Sequence, residues 1–240
     1  MCMVFQRARS EEQREIRRQA ILDTAAAMLE IMPVSEVTLN ELSRRAGLAK
    51  SNVLRYFESR EAILLELLDR ATKLWLSELP GQLAAGMAPD GTPWERADQL
   101  AVVLARSVAP RRELCDLLSA QAGVLEHNVS AEVVARYKRA MSDNQVALTD
   151  LALGQLPELG GDGAWKACAM ATVFTGALCS YTQYPASVLA AYEADPSLAM
   201  LRLDFAAALE EALATLLTGT LARAGARPAS RDGRKDRHGE

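Results

Sequence analysis

Lys50, Asn52, Arg55 and Tyr56 fall within about two helical turns of one another and carry the hydrogen-bonding groups that suit nucleic acid. An ammonium or guanidinium matches phosphate or the O6/N7 edge of guanine, a carboxamide matches adenine, and a phenol can donate to a phosphate oxygen. At helical spacing these residues point outward while Val53 turns inward. Asn52 and Arg55 are therefore the expected base contacts, and Thr38, Lys50, Tyr56 and Arg60 the expected phosphate contacts. Asn40, Arg44, Ser51 and Leu54 flank them and complete the candidate surface.

The elements that must hold this surface are legible around it. Thr38 followed by Glu41 is a capping box, which predicts a helix from Leu39 with Leu42 and Ala46 inward. Gly47 supplies backbone freedom for a tight turn, and Leu48 plugs the angle between two helices. A second helix is predicted from about Lys50 to Tyr56. Ser59 caps a third element, with Arg60 at its positive N-terminus, where a phosphate is favoured.

At Thr38, Leu42, Ala46, Gly47, Leu48, Phe57, Ser59 and Glu61, with Arg60 for the usual Lys, the segment resembles the tetracycline-repressor-like (TetR) family. The resemblance covers about Ile21 to Leu67. Ala49 stands where a capping Ser is usual, Ser51 replaces a common Gly, Leu54 replaces a Tyr that often touches phosphate, and Pro33 stands where a Gly usually ends the first helix. The resemblance implies a helix-turn-helix that enters the major groove, a helical cavity for an effector, and dimerisation through a four-helix bundle.

Composition bounds the rest. Half of the 240 residues are hydrophobic and only 5% are aromatic, which favours helix throughout. The net charge of −4 argues against a bulk nucleic-acid coater and leaves room for a local basic face. Cys2, Cys115, Cys168 and Cys179 are scattered and, with His127 and His238, make no zinc motif; a reducing cytoplasm is expected. The Gly160, Gly161, Gly163 cluster lacks the preceding strand and the GK[ST] of a phosphate loop. Asn128-Val129-Ser130 fits a glycosylation sequon with no role in a cytoplasm. No metal, cofactor or enzymatic chemistry is expected. Ala167 to Tyr192 has no charged residue but carries Thr172, Thr175, Ser180, Gln183 and Pro185, so a buried helix is expected there and no membrane partner.

The expected fold is all-α. Residues 1–58 form a three-helix DNA-binding domain with the helix-turn-helix, 59–225 a larger helical effector-binding and dimerisation domain, and 226–240 a disordered basic tail. A short basic arm with Arg7 and Arg9 precedes a helix from Glu11 to Met32. A helix from Arg60 to Leu79, stopped by Pro80 and Gly81, joins the two halves; a loop fills Gly81 to Gly91. Thr92-Pro93-Trp94-Glu95 starts the next helix, to about Val108. Further helices are predicted from Pro110 to Gln121, Ser130 to Leu153, Trp165 to Gln183 and Leu198 to Ala222.

Aromatic and polar residues near apolar faces nominate a ligand pocket: Trp75, Trp94, Gln121, His127, Tyr137, Met141, Gln145, Thr172, Thr175 and Tyr181. Small residues at Ala169, Thr172 and Gly176, and the stripe Leu201, Phe205, Leu209, Ala212, Leu213 and Leu216, nominate a dimer interface. The expected function is a homodimeric, cytoplasmic repressor, released from a palindromic double-stranded operator by a small, mostly apolar effector. The alternative is a DNA-binding module gated by a protein partner or by no ligand.

Overall fold

In the computed structural model, which describes residues 2–226 and side chains from residue 11 onward, α-helices carry the architecture and no strand occurs among the described residues. Helices α1 (Cys2–Leu29), α2 (Leu39–Arg45) and α3 (Lys50–Val53) form the N-terminal unit. The chain continues through α4 (Arg60–Gly86), α5 (Pro93–Val108), α6 (Arg112–Ala120), α7 (Ala131–Gln155), α8 (Gly160–Thr182), α9 (Ala186–Ala194) and α10 (Phe205–Ala226). Residues 227–240, and with them the expected tail, lie outside the described residues, as do the side chains of Arg7 and Arg9.

α1 begins well before Glu11. Nothing between Gln6 and Arg9 breaks a helix, so none starts afresh at Glu11. Its inner face, Ile21, Ala25, Met28 and Leu29, meets Leu42, Val53, Phe57, Ile63 and Leu67 in the core of the DNA-proximal end. Arg18 staples that core from outside: its guanidinium lies 4.9 Å from the Phe57 ring centroid and pairs with Glu66 on α4.

α4 passes through Pro80 and does not stop there. An internal proline costs about 3 kcal/mol. Leu79 and Leu83, fully buried on either side of it, each contribute about 1.5 to 3 kcal/mol, enough to offset that cost. The result is a single rod that packs on α1 at one end and on α5, α6 and α7 along the rest. The connection to α5 shrinks accordingly, and α5 starts as predicted: Thr92 Oγ1 accepts from the Glu95 N–H at 3.3 Å and Glu95 accepts from the Thr92 N–H at 2.8 Å.

Beyond α5 the boundaries shift. α6 ends in a π-turn, Gln121–Leu125, and Gly154 does not end α7, which continues to Gln155. α8 starts at Gly160, where the sequence predicts a loop, and α9 is an additional helix with no buried residue. Leu201 closes a 3-10 turn, Pro196–Leu201, ahead of α10. α10 packs on α5 and α8, and α8 on α6 and α7.

At the α6–α8 crossing, a Cβ on Gly176 would lie 2.9 Å from the Leu118 carbonyl oxygen, so only glycine allows this approach. One turn along, Cys115 of α6 donates to the Val108 carbonyl at 3.5 Å, and the neighbouring Cys179 thiol of α8 together with burial raises the Cys115 thiol. Both thiols are free and buried.

Candidate nucleic-acid interface and ligand cavity

The helix-turn-helix is built as its residues dictate, with two differences. Thr38 Oγ1 accepts from the Glu41 N–H at 3.2 Å, but the Glu41 carboxylate does not reach back. It binds Arg44 at 2.6 and 2.9 Å and Arg45 at 2.7 Å instead, and those bonds, Arg44 first, hold it down at about pKa 2. Gly47 adopts φ +64°, and the Leu48 N–H donates to the Ser43 carbonyl at 2.9 Å to close the turn.

Regular α3 is only 4 residues long. Ala49 offers no side-chain cap, and after Val53 the chain tightens into i→i+3 bonds, Arg55 N–H to Asn52 O and Tyr56 N–H to Val53 O. Val53 and Phe57 remain buried. Lys50, Ser51, Asn52, Leu54 and Arg55 stand exposed on one side, with Tyr56 half-buried behind them and Thr38, Asn40 and Arg44 exposed alongside.

Arg60 differs from the expected phosphate contact. Its Nη1 donates to the Val37 carbonyl at 2.9 Å, and its Nε, without an aligned hydrogen bond, lies 3.2 Å from Glu61. The guanidinium turns inward because the carbonyl just ahead of α2 is within its reach; it ties the N-terminus of α4 to the start of α2.

Two polar links that the sequence does not announce join this unit to the helices above it. The Val34 N–H donates to Asp116 on α6 at 2.6 Å, and the Ser130 N–H, at the N-cap of α7, donates to Glu58 at 2.5 Å. Asp116 is buried and also accepts from Gln183 at the end of α8, at 3.3 Å. A lone acid on an amphipathic helix reads as solvated, so no sequence signal marks it.

Between α4, α5, α6, α7, α8 and α10 lies a cavity of about 830 Å³. Trp75, Gln121, Tyr137, Met141, Gln145, Thr172, Thr175 and Tyr181 line it together, with Asp69, Asn144 and Cys168, which the sequence did not single out. Trp94 and His127 do not line it. Trp94 stands half-exposed in the first turn of α5, and His127 is exposed just past the π-turn, each carried outward by its helix end.

Residues 21–67 match the family described as "Bacterial regulatory proteins, tetR family", and residues 69–224, more than half of the chain, match "Tetracyclin repressor-like, C-terminal domain". The chain belongs to the TetR family. It is a transcriptional regulator with a DNA-binding helix-turn-helix and a tetracyclin repressor-like C-terminal domain, not an enzyme. Among curated relatives, the HTH-type transcriptional regulator EthR of Mycobacterium tuberculosis is 43% identical over 54 residues, which is 22% of this chain and only 25% of that relative. Among solved structures, a TetR regulator from Rhodococcus sp. RHA1 superposes with TM-score 0.53 at 13% identity, covering 86% of this chain and 96% of the other. The fatty acid degradation regulator FadR of Bacillus halodurans gives 0.50 at 12% identity, covering 85% and 95%. At such identities the likeness is one of fold.

In this TetR-family chain the nominated dimer residues divide. Gly176 packs on α6, and Leu209 and Leu213 are buried within the subunit, so they hold the fold. Ala169, Thr172 and Leu216 line the cavity, while Phe205 and Ala212 are half-buried and Leu201 is exposed off the α10 stripe. Within the subunit, Leu209, Leu213, Leu217 and Leu221 turn toward the interior. What α10 leaves uncovered is Ala207, Glu211, Thr215, Gly219, Ala222, Arg223, Gly225 and Ala226. By length and composition α10 could cross a membrane, and 22% of that window is buried. Beside it Met170 and Val173 of α8 and Met200 also stand exposed.

Proposed function

We propose that the protein is a homodimeric repressor that binds a palindromic operator and releases it when a small, mostly apolar molecule enters the cavity. The observation that carries this reading is the alignment of one exposed polar edge, Lys50 to Arg55, with a large apolar cavity, joined by α4 and by the Asp116 link to Val34. Residues 1–58 serve as the DNA-binding domain and 59–225 as the effector and dimerisation domain, within a cytoplasm. Asn52 and Arg55 read bases. Thr38, Lys50 and Tyr56 hold phosphates, with Asn40, Arg44, Ser51 and Leu54 at the edge of the footprint. Arg44 is shared with Glu41, so phosphate must compete for it. Arg60 acts by positioning α2.

The uncovered faces of α8 and α10 fit a second copy of this chain. Their small residues let helices approach, and two such helices from each subunit make a four-helix bundle. An effector that wedges α6 or α8 shifts Asp116, and with it the Val34 turn beneath α1. A differential affinity of a few kcal/mol between the two arrangements is enough to empty the operator.

The test divides two exposed cations. Arg55→Ala should weaken operator binding by about 1 to 3 kcal/mol and relax preference at its base, whereas Lys50→Ala should weaken all sequences alike and flatten the salt dependence. Fluorescence anisotropy on operator and scrambled duplexes across a salt series separates them. Equal losses at every sequence and salt concentration would refute this division of roles.

A further inference from the structure

The lining of the cavity is specific in its polar groups. Tyr137 is 7% exposed and lines the cavity, and no protein hydrogen bond engages its hydroxyl among the described residues, although that oxygen is open to the cavity and not sealed. The other buried or half-buried polar lining groups already use a donor, whereas the Ser142, Ser180 and Tyr181 hydroxyls stand on exposed residues. Thr172 and Thr175 donate to the carbonyls one turn back, of Cys168 and Ala171, at 3.1 and 2.9 Å. Gln145 Nε2 donates to the Trp165 carbonyl at 3.0 Å, and Asn144 Nδ2 to Asp69 at 2.8 Å. A cavity-lining hydroxyl with no protein partner can donate to an acceptor brought in by a ligand in place of water.

Charge narrows the ligand further. Among the described lining residues there is no Arg, Lys or His, and the single carboxylate, Asp69, is held by Lys73 at 2.7 Å. Glu126, beside Gln121 at the rim, is paired with Lys138 at 2.7 Å. A ligand carboxylate would lose its hydration with no cation in the lining to receive it, and a ligand amine would have to displace Lys73 from Asp69. Burial first, then the nearby negative charge of Glu126 and Asp69, push the Tyr137 phenol upward, so it stays a donor at neutral pH.

We propose that the cavity takes an uncharged, largely apolar molecule bearing a hydrogen-bond acceptor such as a carbonyl or ether oxygen, and that the Tyr137 hydroxyl donates to it. This rests on the reading of the cavity as the effector site. The acceptor end sits at Tyr137 and the apolar remainder runs along the Leu and Ala side chains of α8 and α10.

The test uses the full chain and the neutral fluorophore N-phenyl-1-naphthylamine, displaced in turn by 2-dodecanone, dodecanoate and dodecylammonium. The ketone should displace it at the lowest concentration, with both charged chains at least about tenfold weaker. Tyr137→Phe should weaken the ketone by about five- to tenfold and leave the fluorophore within about twofold, which also shows that the variant is folded. Dodecanoate displacing as well as the ketone, or Tyr137→Phe leaving the ketone unchanged, overturns the proposal. The charge ranking needs no variant. If the fluorophore does not bind the unaltered chain at all, the effector-cavity reading itself fails, a result distinct from binding with the wrong charge order.

Discussion

Thr215→Arg combined with Gly219→Arg should give a folded monomer whose operator affinity is about 100- to 10,000-fold below that of the unaltered chain. Both positions are exposed on α10, and a Cβ at Gly219 meets nothing within 4 Å, so neither substitution disturbs the subunit. Replacing Gly219 inside a helix even favours the helix, by up to about 1 kcal/mol. Two long guanidinium side chains in place of the small residues Thr215 and Gly219, in contrast, hold the facing helices apart and, beyond the one carboxylate of Glu211, are desolvated beside like charge, so the bundle does not form. A monomer then holds one half-site and loses the gain that comes from presenting two recognition segments on one rigid body. Sedimentation velocity with anisotropy on the same sample checks both halves of the expectation. A variant that is monomeric yet binds operator undiminished would remove dimerisation from the account.

Gly176→Val is expected to lower stability by about 1 to 3 kcal/mol, which at this chain length shifts the thermal midpoint by about 2 to 4 °C per kcal/mol. The Cβ would meet the Leu118 carbonyl at 2.9 Å, and its nearest atoms belong to backbone that cannot swing aside as a side chain end would. α6 must move away from α8, which carries Asp116 away from Val34 and separates Cys115 from Cys179. Gly154→Ala is the control: Gly154 also lies within a helix, α7, but has open space around it, so alanine there should stabilise by up to about 1 kcal/mol. Calorimetry on the two variants should move in opposite directions. If Gly176→Val is also stabilising, the close crossing of α6 and α8 is wrong.

The sequence makes the DNA-proximal end legible because local rules decide it. Thr38, Gly47 and Ser59 each act within a few residues of themselves, and each does what its chemistry requires. Longer-range competition decides the rest. Pro80 reads as a stop only while the burial of Leu79 and Leu83 is unknown. Arg60 reads as a phosphate ligand until the Val37 carbonyl is within its reach. Of the pocket candidates, Tyr137 and Thr175 follow from helical period, whereas Trp94 and His127 fail because a helix end carries its residues away from the interior. The α10 stripe is broad enough that periodicity does not say which half faces α5 and which faces outward. Asp116 is invisible in sequence, since its role depends wholly on the turn it meets on a distant element.

The central claim, that two copies of the Lys50 to Arg55 edge read a symmetric duplex, is tested most directly by selection from random double-stranded DNA with the full, purified chain. The account predicts enrichment of a near-palindrome whose half-sites lie about 34 to 36 Å apart, one helical turn, or somewhat more. Enrichment of a single unpaired motif, or of no motif at all, would contradict it.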